Sequence, residues 1–353
     1  MKTNTRRKFI RNSSLTATGL FLASATVAKK QSIVSTAIGC INTNSQTLFG
    51  TIKSVKSGNW SNPETWGGKI PNISDTPVIS EGHNVLFDLD SATVSGLNVS
   101  SGSNLSFDNA KSCLLQSSKN VVVHGKLELK PSKDSVVHTI RFINVNESKF
   151  MGATHDVLDS DIGLWVMNAG VINFEGTEKK AWTRLAGNAT KGSSTITLQN
   201  TPTGWKVGDV IVVCPTQETH GMKQEDIELL FERKHVKKIF GTTINLESNL
   251  EFDHLKVAPP GSEKSWTAEV FNLNRNVRIE GTEEGRAHVF VRSSLPQTLK
   301  FVSFRHLGPR KEQTGDSIHE FVIGRYGLHF HHCMDGSRGT LVQECIGYDI
   351  GSH

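Results

Sequence analysis

Arg325, His329, His331 and His332 fall within one short run, GRYGLHFHHCMDG, at residues 324–336. In an extended strand successive side chains alternate, so Leu328 and Phe330 face one way and His329 and His331 the other. Imidazoles titrate near neutrality and suit proton transfer. A guanidinium of the same parity, Arg325, can hold a carboxylate through two parallel hydrogen bonds. His329 and His331 are therefore the catalytic candidates, and Arg325 a substrate-binding candidate. The same pattern also suits a hydrogen-bonded histidine ladder with no chemistry of its own. A regular strand turns His332 to the opposite face, so a zinc site is not expected. Asp335, before Gly336, reads as a turn residue. The paired carboxylates of ordinary glycosidases cannot be picked out, and Glu280, Glu283 and Glu284 read as a surface turn. No phosphate-binding loop, dinucleotide fingerprint or serine elbow is present.

The elements that position these residues read as short strands. Apolar residues recur at alternate positions in Thr51–Val55, Val78–Ser80, Asn84–Phe87, Thr93–Val99, Asn104–Phe107, Asn120–Val123, Lys126–Leu129 and Val137–Ile143. Turns such as Glu81-Gly82-His83-Asn84 and Ser101-Gly102-Ser103-Asn104 separate them. The pattern resumes after Asp161 and runs to Cys345. Short strands without two-residue hairpin loops favour a stacked β-solenoid over a sandwich. The one helical stretch is Lys223–Lys237, with Ile227, Leu230 and Phe231 on one side. Trp60 and Trp66 read as caps on the end of a solenoid core, with stacking on sugar rings as the alternative.

Residues 1–30 carry Arg6-Arg7 followed by Phe9, a weakly apolar run from Leu15 to Ala28, and Ala23-Ser24-Ala25. They read as a twin-arginine export signal, with 31–50 as a polar linker, and predict a periplasmic or extracellular protein. A lipobox ending at Cys40 is a secondary reading for membrane anchoring. The apolar run is too short to span a bilayer, so no integral membrane protein is expected. Seven Lys/Arg precede residue 31 and no acid precedes Glu64, so the formal charge of +5 becomes −2 once that segment is removed. Nucleic-acid binding is thereby disfavoured. Residues 275–338 keep ten Lys/Arg against seven Asp/Glu, with six His, which suits an anionic polymer. The five cysteines show no CxxC spacing, and Cys333 and Cys345 are candidates for a stacked or bridged pair.

The run SGNWSNPETWGGKIPNISDTPVISEGHNVLFD (57–88) resembles the start of a G8 domain, with Gly58, Gly67, Gly82, Gly96, Gly102 and Gly125 as its glycines. GLWVMNAGVINFEG (163–176), AWTRL (181–185), GWKVGDVIVV (204–213), AEVFNLNRNVRIEG (268–281) and GRYGLHFHH (324–332) follow in an order similar to proteins that join a G8 domain to a parallel β-helix. These include the cell-migration-inducing hyaluronidases and the fibrocystins. The resemblance implies an all-β, right-handed parallel β-helix with an N-terminal G8 module at 51–175 and the helix at 176–353, ending inside a coil. It implies hyaluronidase-like depolymerisation of an anionic, uronic-acid polysaccharide by a hydrolase or lyase, with calcium as an associated ion. Arg184 in AWTRL and Asp209 in GWKVGD become further substrate-binding candidates. Gly327 and Leu328 depart from the family's usual residues before the histidines. A non-catalytic glycan-binding or adhesion module, or an inactive fragment of a longer protein, are the competing readings.

Overall fold

Alternation of apolar and polar residues over three to six positions makes a strand with one dry face, and such strands gain most by stacking in parallel on copies of themselves. A computed structural model describes residues 50–258, 260–312 and 319–352. The export segment, the linker and Cys40 lie outside the described residues. The first coil holds β1 (Thr51–Lys53) and β2 (Gly58–Asn59) and closes on a 3-10 turn, Pro63–Trp66. The next three coils are β3 (Thr76–Ile79), β4 (Asn84–Phe87) and β5 (Ser91–Val94); β6 (Leu97–Val99), β7 (Asn104–Phe107) and β8 (Cys113–Ser117); and β9 (Val121–Val123), β10 (Lys126–Leu129) and β11 (His138–Phe142). The fifth begins with β12 (Gly163–Asn168) and β13 (Val171–Glu175).

After β13 the chain leaves the stack. It forms β14 (Trp182–Arg184), β15 (Thr195–Thr197), β16 (Val210–Val213), the short helix α1 (Gln224–Leu229), β17 (Glu232–Phe240), β18 (Thr243–Leu246) and β19 (Glu269–Asn272). It then re-enters the fifth coil as β20 (Val277–Glu280). The sixth coil is β21 (His288–Ser293), β22 (Thr298–Lys300) and β23 (Val302–Arg305). A hairpin of β24 (Arg310–Glu312) and β25 (His319–Phe321) precedes the seventh, β26 (His329–Phe330), β27 (Leu341–Gln343) and β28 (Ile346–Tyr348).

Three parallel sheets result: sheet A, β1-β3-β6-β9-β12-β21-β26; sheet B, β2-β4-β7-β10-β13-β22-β27; and sheet C, β5-β8-β11-β20-β23-β28. This is a parallel β-helix. Its interior is made of in-register ladders, such as Ile79, Val99, Val123, Val166, Val291 and Phe330 in sheet A. Single residues with left-handed backbone turn several corners: Asn168 at the end of β12, Phe301 between β22 and β23, Glu344 between β27 and β28, and His306 and Asp349 after sheet C strands. Trp60 and Trp66 are buried in the first coil, edge to face at 4.9 Å, and Trp60 also meets Phe87.

The sheets continue across the boundary expected at 175/176, so the same coil architecture lies on both sides of it. The departure is instead the excursion 177–276, whose antiparallel sheet runs β14-β19-β16-β17-β18-β15. One face encloses its own core, including Trp205, Ile211, Val213, Val236, Ile244 and Val270. The other, with Val210, Val212, Phe271 and Leu273, packs on Ile346 and Tyr348 of sheet C. The helix expected over Lys223–Lys237 is cut short: 232–240 form β17, with Glu232, Lys234 and Val236 buried and Arg233, His235 and Lys237 exposed. Charge hid this alternation, because Glu232 and Lys234 neutralise each other inside, 2.9 Å apart, with His254 against Glu232.

Close coil contact constrains some glycines through space alone. A Cβ on Gly125 would lie 2.2 Å from the Ser100 carbonyl oxygen and 2.4 Å from that of Ser103, whereas one on Gly187 would meet nothing within 4 Å. Gly125→Ala is expected to lower the unfolding free energy by about 1–3 kcal/mol, as overpacking does, with Gly187→Ala close to neutral. Denaturant titration of the two variants checks this.

Candidate functional site

The outer face of sheet A positions the histidines. Register places Trp165, Phe290 and His329 side by side on successive coils. His331 stacks on Phe290 at 5.0 Å, and His329 meets the same ring edge to face at 5.3 Å. The strand ends at Phe330, and His332 takes a left-handed backbone, φ 45°. Its ring therefore swings back to within 4.3 Å of His331, instead of pointing to the other face as regular alternation requires. His155, from the segment between β11 and β12, completes the group, and sequence reasoning had no signal for it.

The hydrogen bonds order these rings. His329 Nδ1 donates to the Gly324 carbonyl at 3.0 Å. His331 Nδ1 lies 3.4 Å from His329 Nε2, and His331 Nε2 lies 2.6 Å from His155 Nδ1, so the rings are linked through their nitrogens. Burial pushes His331 down to about 4, reinforced by His329, His332, His155 and Arg292 around it. The two catalytic candidates are thus brought together but hold one another's nitrogens.

The three substrate-binding candidates are not assembled. Arg325 is 0 % exposed. Its Nε donates to Asp161 at 2.7 Å, and its guanidinium lies over Trp165 at 4.5 Å. The strand begins only at His329, so Arg325 does not share its outward face and cannot reach a ligand. Burial alone would raise the Asp161 carboxyl, but hydrogen bonds from Ser160, Met151 and Gly152, with the charge of Arg325, hold it low. Asp209 is also 0 % exposed, paired with Lys179 at 2.9 Å and hydrogen-bonded by Lys206 N and Asn272. It locks the foot of the excursion and is closed to a ligand. Arg184 is half-buried on β14 and ion-paired with Glu269 at 2.7 Å.

A concavity lies elsewhere, between the excursion and the outer face of sheet C. A cleft of about 730 Å³ is lined by Arg233, Arg286, Arg305, His306, Tyr348 and Asp349, with Phe231 and Phe271 on the excursion side. A smaller one of about 210 Å³ shares Arg233, Arg305 and Tyr348 and adds Arg275 and Arg278. Together they hold four accessible arginines, Arg233, Arg278, Arg286 and Arg305, against three carboxylates, Glu228, Glu283 and Asp349, while Arg275 is buried with its guanidinium on the carbonyls of Asn272, Asn274 and Glu344. Arg305 stands next to Tyr348 in register, its guanidinium 5.4 Å from the ring. Asp349 accepts from Arg305 Nε at 2.9 Å and is paired with Arg233, so one carboxylate ties excursion to coil. Burial would raise that carboxyl, and these two hydrogen-bonded guanidiniums hold it below the usual range. Only the cation excess at 275–338 pointed here. The walls come from segments over a hundred residues apart, which the strand pattern cannot pair.

Among the described residues no group of three or more His, Cys, Asp or Glu is arranged to hold a metal ion. Asp349 and Glu283 already lie against Arg305, at 2.9 and 3.8 Å, so the donor set does not fit calcium. Cys113, Cys214, Cys333 and Cys345 are free thiols. Cys333 and Cys345 bond carbonyls of the preceding coil, Val291 and Leu299, rather than each other. Among the described residues no helix is long and apolar enough to cross a membrane.

The family model of the G8 domain matches residues 65–186. This part of the chain is a G8 domain. Human Fibrocystin-L is 27% identical over 237 residues, 64% of this chain and 5% of its own length, and mouse Fibrocystin-L is 28% identical over the same extent. The chain thus spans about one-twentieth of these relatives. Among solved structures, the crystal structure of the Pseudomonas phage phi297 tailspike gp61 is similar at a TM-score of 0.22 and 12% identity, over 62% of this chain and 35% of that one. A likeness at that level carries nothing further. The G8 domain begins in the first coil and ends just past β14. It contains His155, Asp161 and Trp165, whereas every residue lining the cleft follows it in sequence.

Two expectations follow from the outer face of sheet A. Arg325→Ala strands the Asp161 carboxylate in the interior and should cost about 3–5 kcal/mol of stability, read by denaturant unfolding. His331 and His288 titrate near 4 and 3 when folded but near 6.5 as free imidazoles. As pH falls below about 6.5 the unfolded chain binds protons that the folded one refuses, so stability declines on acidification. His331→Asn should flatten that decline without abolishing it between pH about 6.5 and about 5, above the carboxylate range. Thermal melts across that window measure it.

Proposed function

We propose that this is an exported, glycan-handling G8 protein and that an acidic polysaccharide lies in the cleft between excursion and sheet C. One observation carries the reading: four arginines that are not buried, Arg233, Arg278, Arg286 and Arg305, line a cleft with three carboxylates, one of which, Asp349, is tied to Arg233 and Arg305. Guanidinium suits this task because it stays charged, and its planar fork matches a carboxylate. Tyr348 and Phe271 add flat apolar surface of the kind sugar rings pack on. A groove open at the surface fits a polymer better than a small molecule enclosed on all sides. The family resemblance to hyaluronidases points to a polymer of the same charge, and the export signal would deliver the protein where such polymers occur.

Depolymerisation by an ordinary pair of carboxyl groups is not what the cleft favours. A glycosidase acid needs a carboxyl that keeps its proton, and Asp349 is held in the opposite direction. Binding therefore stands as the primary function, compatible with an adhesion role, and cleavage needs a different proton donor.

Calorimetric titration with hyaluronan, a second uronate polymer, a neutral glucan and a sulfated uronate-free polymer tests the reading. Binding to acidic polymers that weakens as salt rises is expected, with none to the neutral glucan. Arg305→Ala should weaken it about tenfold, equivalent to about 1.4 kcal/mol, and Arg184→Ala should leave it unchanged. Equal affinity for the neutral glucan, or a cleft variant that binds like the parent, sinks the proposal.

A further inference from the structure

The cleft holds two groups able to exchange protons that the carbohydrate-binding reading leaves unused, the imidazole of His306 and the hydroxyl of Tyr348, whose ring alone that reading employs. His306 occupies the left-handed corner just after Arg305, φ 49°, and Tyr348 is the register partner of Arg305 on the next coil. Both line the cleft. Strands in neighbouring coils sit about 4.8 Å apart, the Arg305 guanidinium lies 5.4 Å from the Tyr348 ring, and His306 follows Arg305 directly, so the three share one stretch of the cleft wall. The chain's other tyrosine, Tyr326, lies against His329 on sheet A.

Resting on the reading of this cleft as an acidic-polysaccharide site, we propose that it cleaves uronic-acid polymers by β-elimination, with Arg305 and Arg233 neutralising the uronate carboxylate, His306 as base and Tyr348 as acid. The proton on C5 of a uronate is α to its carboxylate and becomes acidic once guanidinium groups offset that charge. His306 takes the C5 proton. The C–H electron pair becomes the C4–C5 double bond. The C4–O glycosidic bond breaks, its electrons staying on the oxygen, which takes the hydroxyl proton of Tyr348. The tyrosinate then regains a proton, formally the one held by the imidazolium. The products are an unsaturated uronate end and a new reducing end. No water, oxidant or metal is consumed.

The resting protonation states agree with these roles. Burial, reinforced by Arg305, lowers His306, so the imidazole is free to accept a proton at neutral pH. Burial raises the Tyr348 phenol against the opposing charge of Arg305, so it keeps its proton. A general base and acid of this kind each contribute about 10²–10⁴-fold in rate.

The full chain is incubated with hyaluronan and polygalacturonate, and with a sulfated uronate-free polymer as control. Two signals are followed: ultraviolet absorbance of unsaturated uronate, and new reducing ends. Both should rise in step with at least one uronate polymer and stay flat with the control. Tyr348→Phe and His306→Asn (asparagine tolerates the left-handed corner) should each slow the reaction about 100-fold or more, with polymer affinity and melting temperature retained. Reducing ends without absorbance mean hydrolysis and overturn the proposal, as do intact variant rates or binding with neither signal. Absence of polymer binding by the parent protein removes the binding reading itself, and this proposal with it.

Discussion

The hydrogen-bonded register between successive coils sets the outer surface as firmly as the core. Parallel pairing keeps residue opposite residue, so an inward ladder of Ile79, Val99, Val123 and Val166 fixes the parity of every position beside it. On sheet C the outward ladder reads Arg141, Glu280, Arg305, Tyr348. Arg141 and Glu280 satisfy each other at 2.7 Å. Arg305, one coil on, is left to face Tyr348 and the cleft. A one-residue slip would send these groups inside and expose the apolar set, so the core's demand for burial is what aims the guanidinium outward.

The excursion turns that ladder into a cleft. Its sheet spends one face on its own core and lays the other on Ile346 and Tyr348. Ion pairs tie it down at separated points: Lys180 with Glu344 at 2.6 Å, Lys206 with Asp134, and Arg233 with Asp349. Lys179 and Asp209 are sealed together at its foot. Exposed pairs contribute little each, but the buried one is costly to break, because either partner alone would be an uncompensated charge. The bridge through Asp349 has a second effect. It occupies the carboxylate best placed to repel an acidic ligand.

The coil pattern was legible because short strands with alternating apolar residues have few other uses. Val85, Leu105, Leu127 and Ile172, one per coil, are aligned by spacing alone. What was not legible is equally physical. Lys223–Lys237 imitates a charged surface helix, but the buried Glu232–Lys234 pair lets an alternating charged run be a strand. His332 breaks alternation because a corner residue takes a left-handed backbone, which histidine gives no sign of accepting. Arg325 looked like an anion ligand because Asp161, its partner, lies 164 residues away. The cleft needed the excursion to fold back on a coil that follows it in sequence.

Two clusters of nitrogen-rich side chains result, and their electrostatics differ in kind. On sheet A burial lowers His331, and the neighbouring His329, His332 and His155 deepen the shift. At neutral pH His331 is therefore an uncharged imidazole. In the cleft, burial works against the charge of Arg305, but the hydrogen bond from its guanidinium to Asp349, with Tyr348 and Glu280 nearby, raises it above the ordinary value. Even Arg275, brought down by burial to about 10, remains a cation at neutrality. An acidic polymer approaching this molecule therefore finds its compensating charge beside sheet C, and not at the histidine-rich run that stands out in the sequence. Residue type alone ranks the histidines first, whereas the coupling among neighbours, set by the fold, ranks them second.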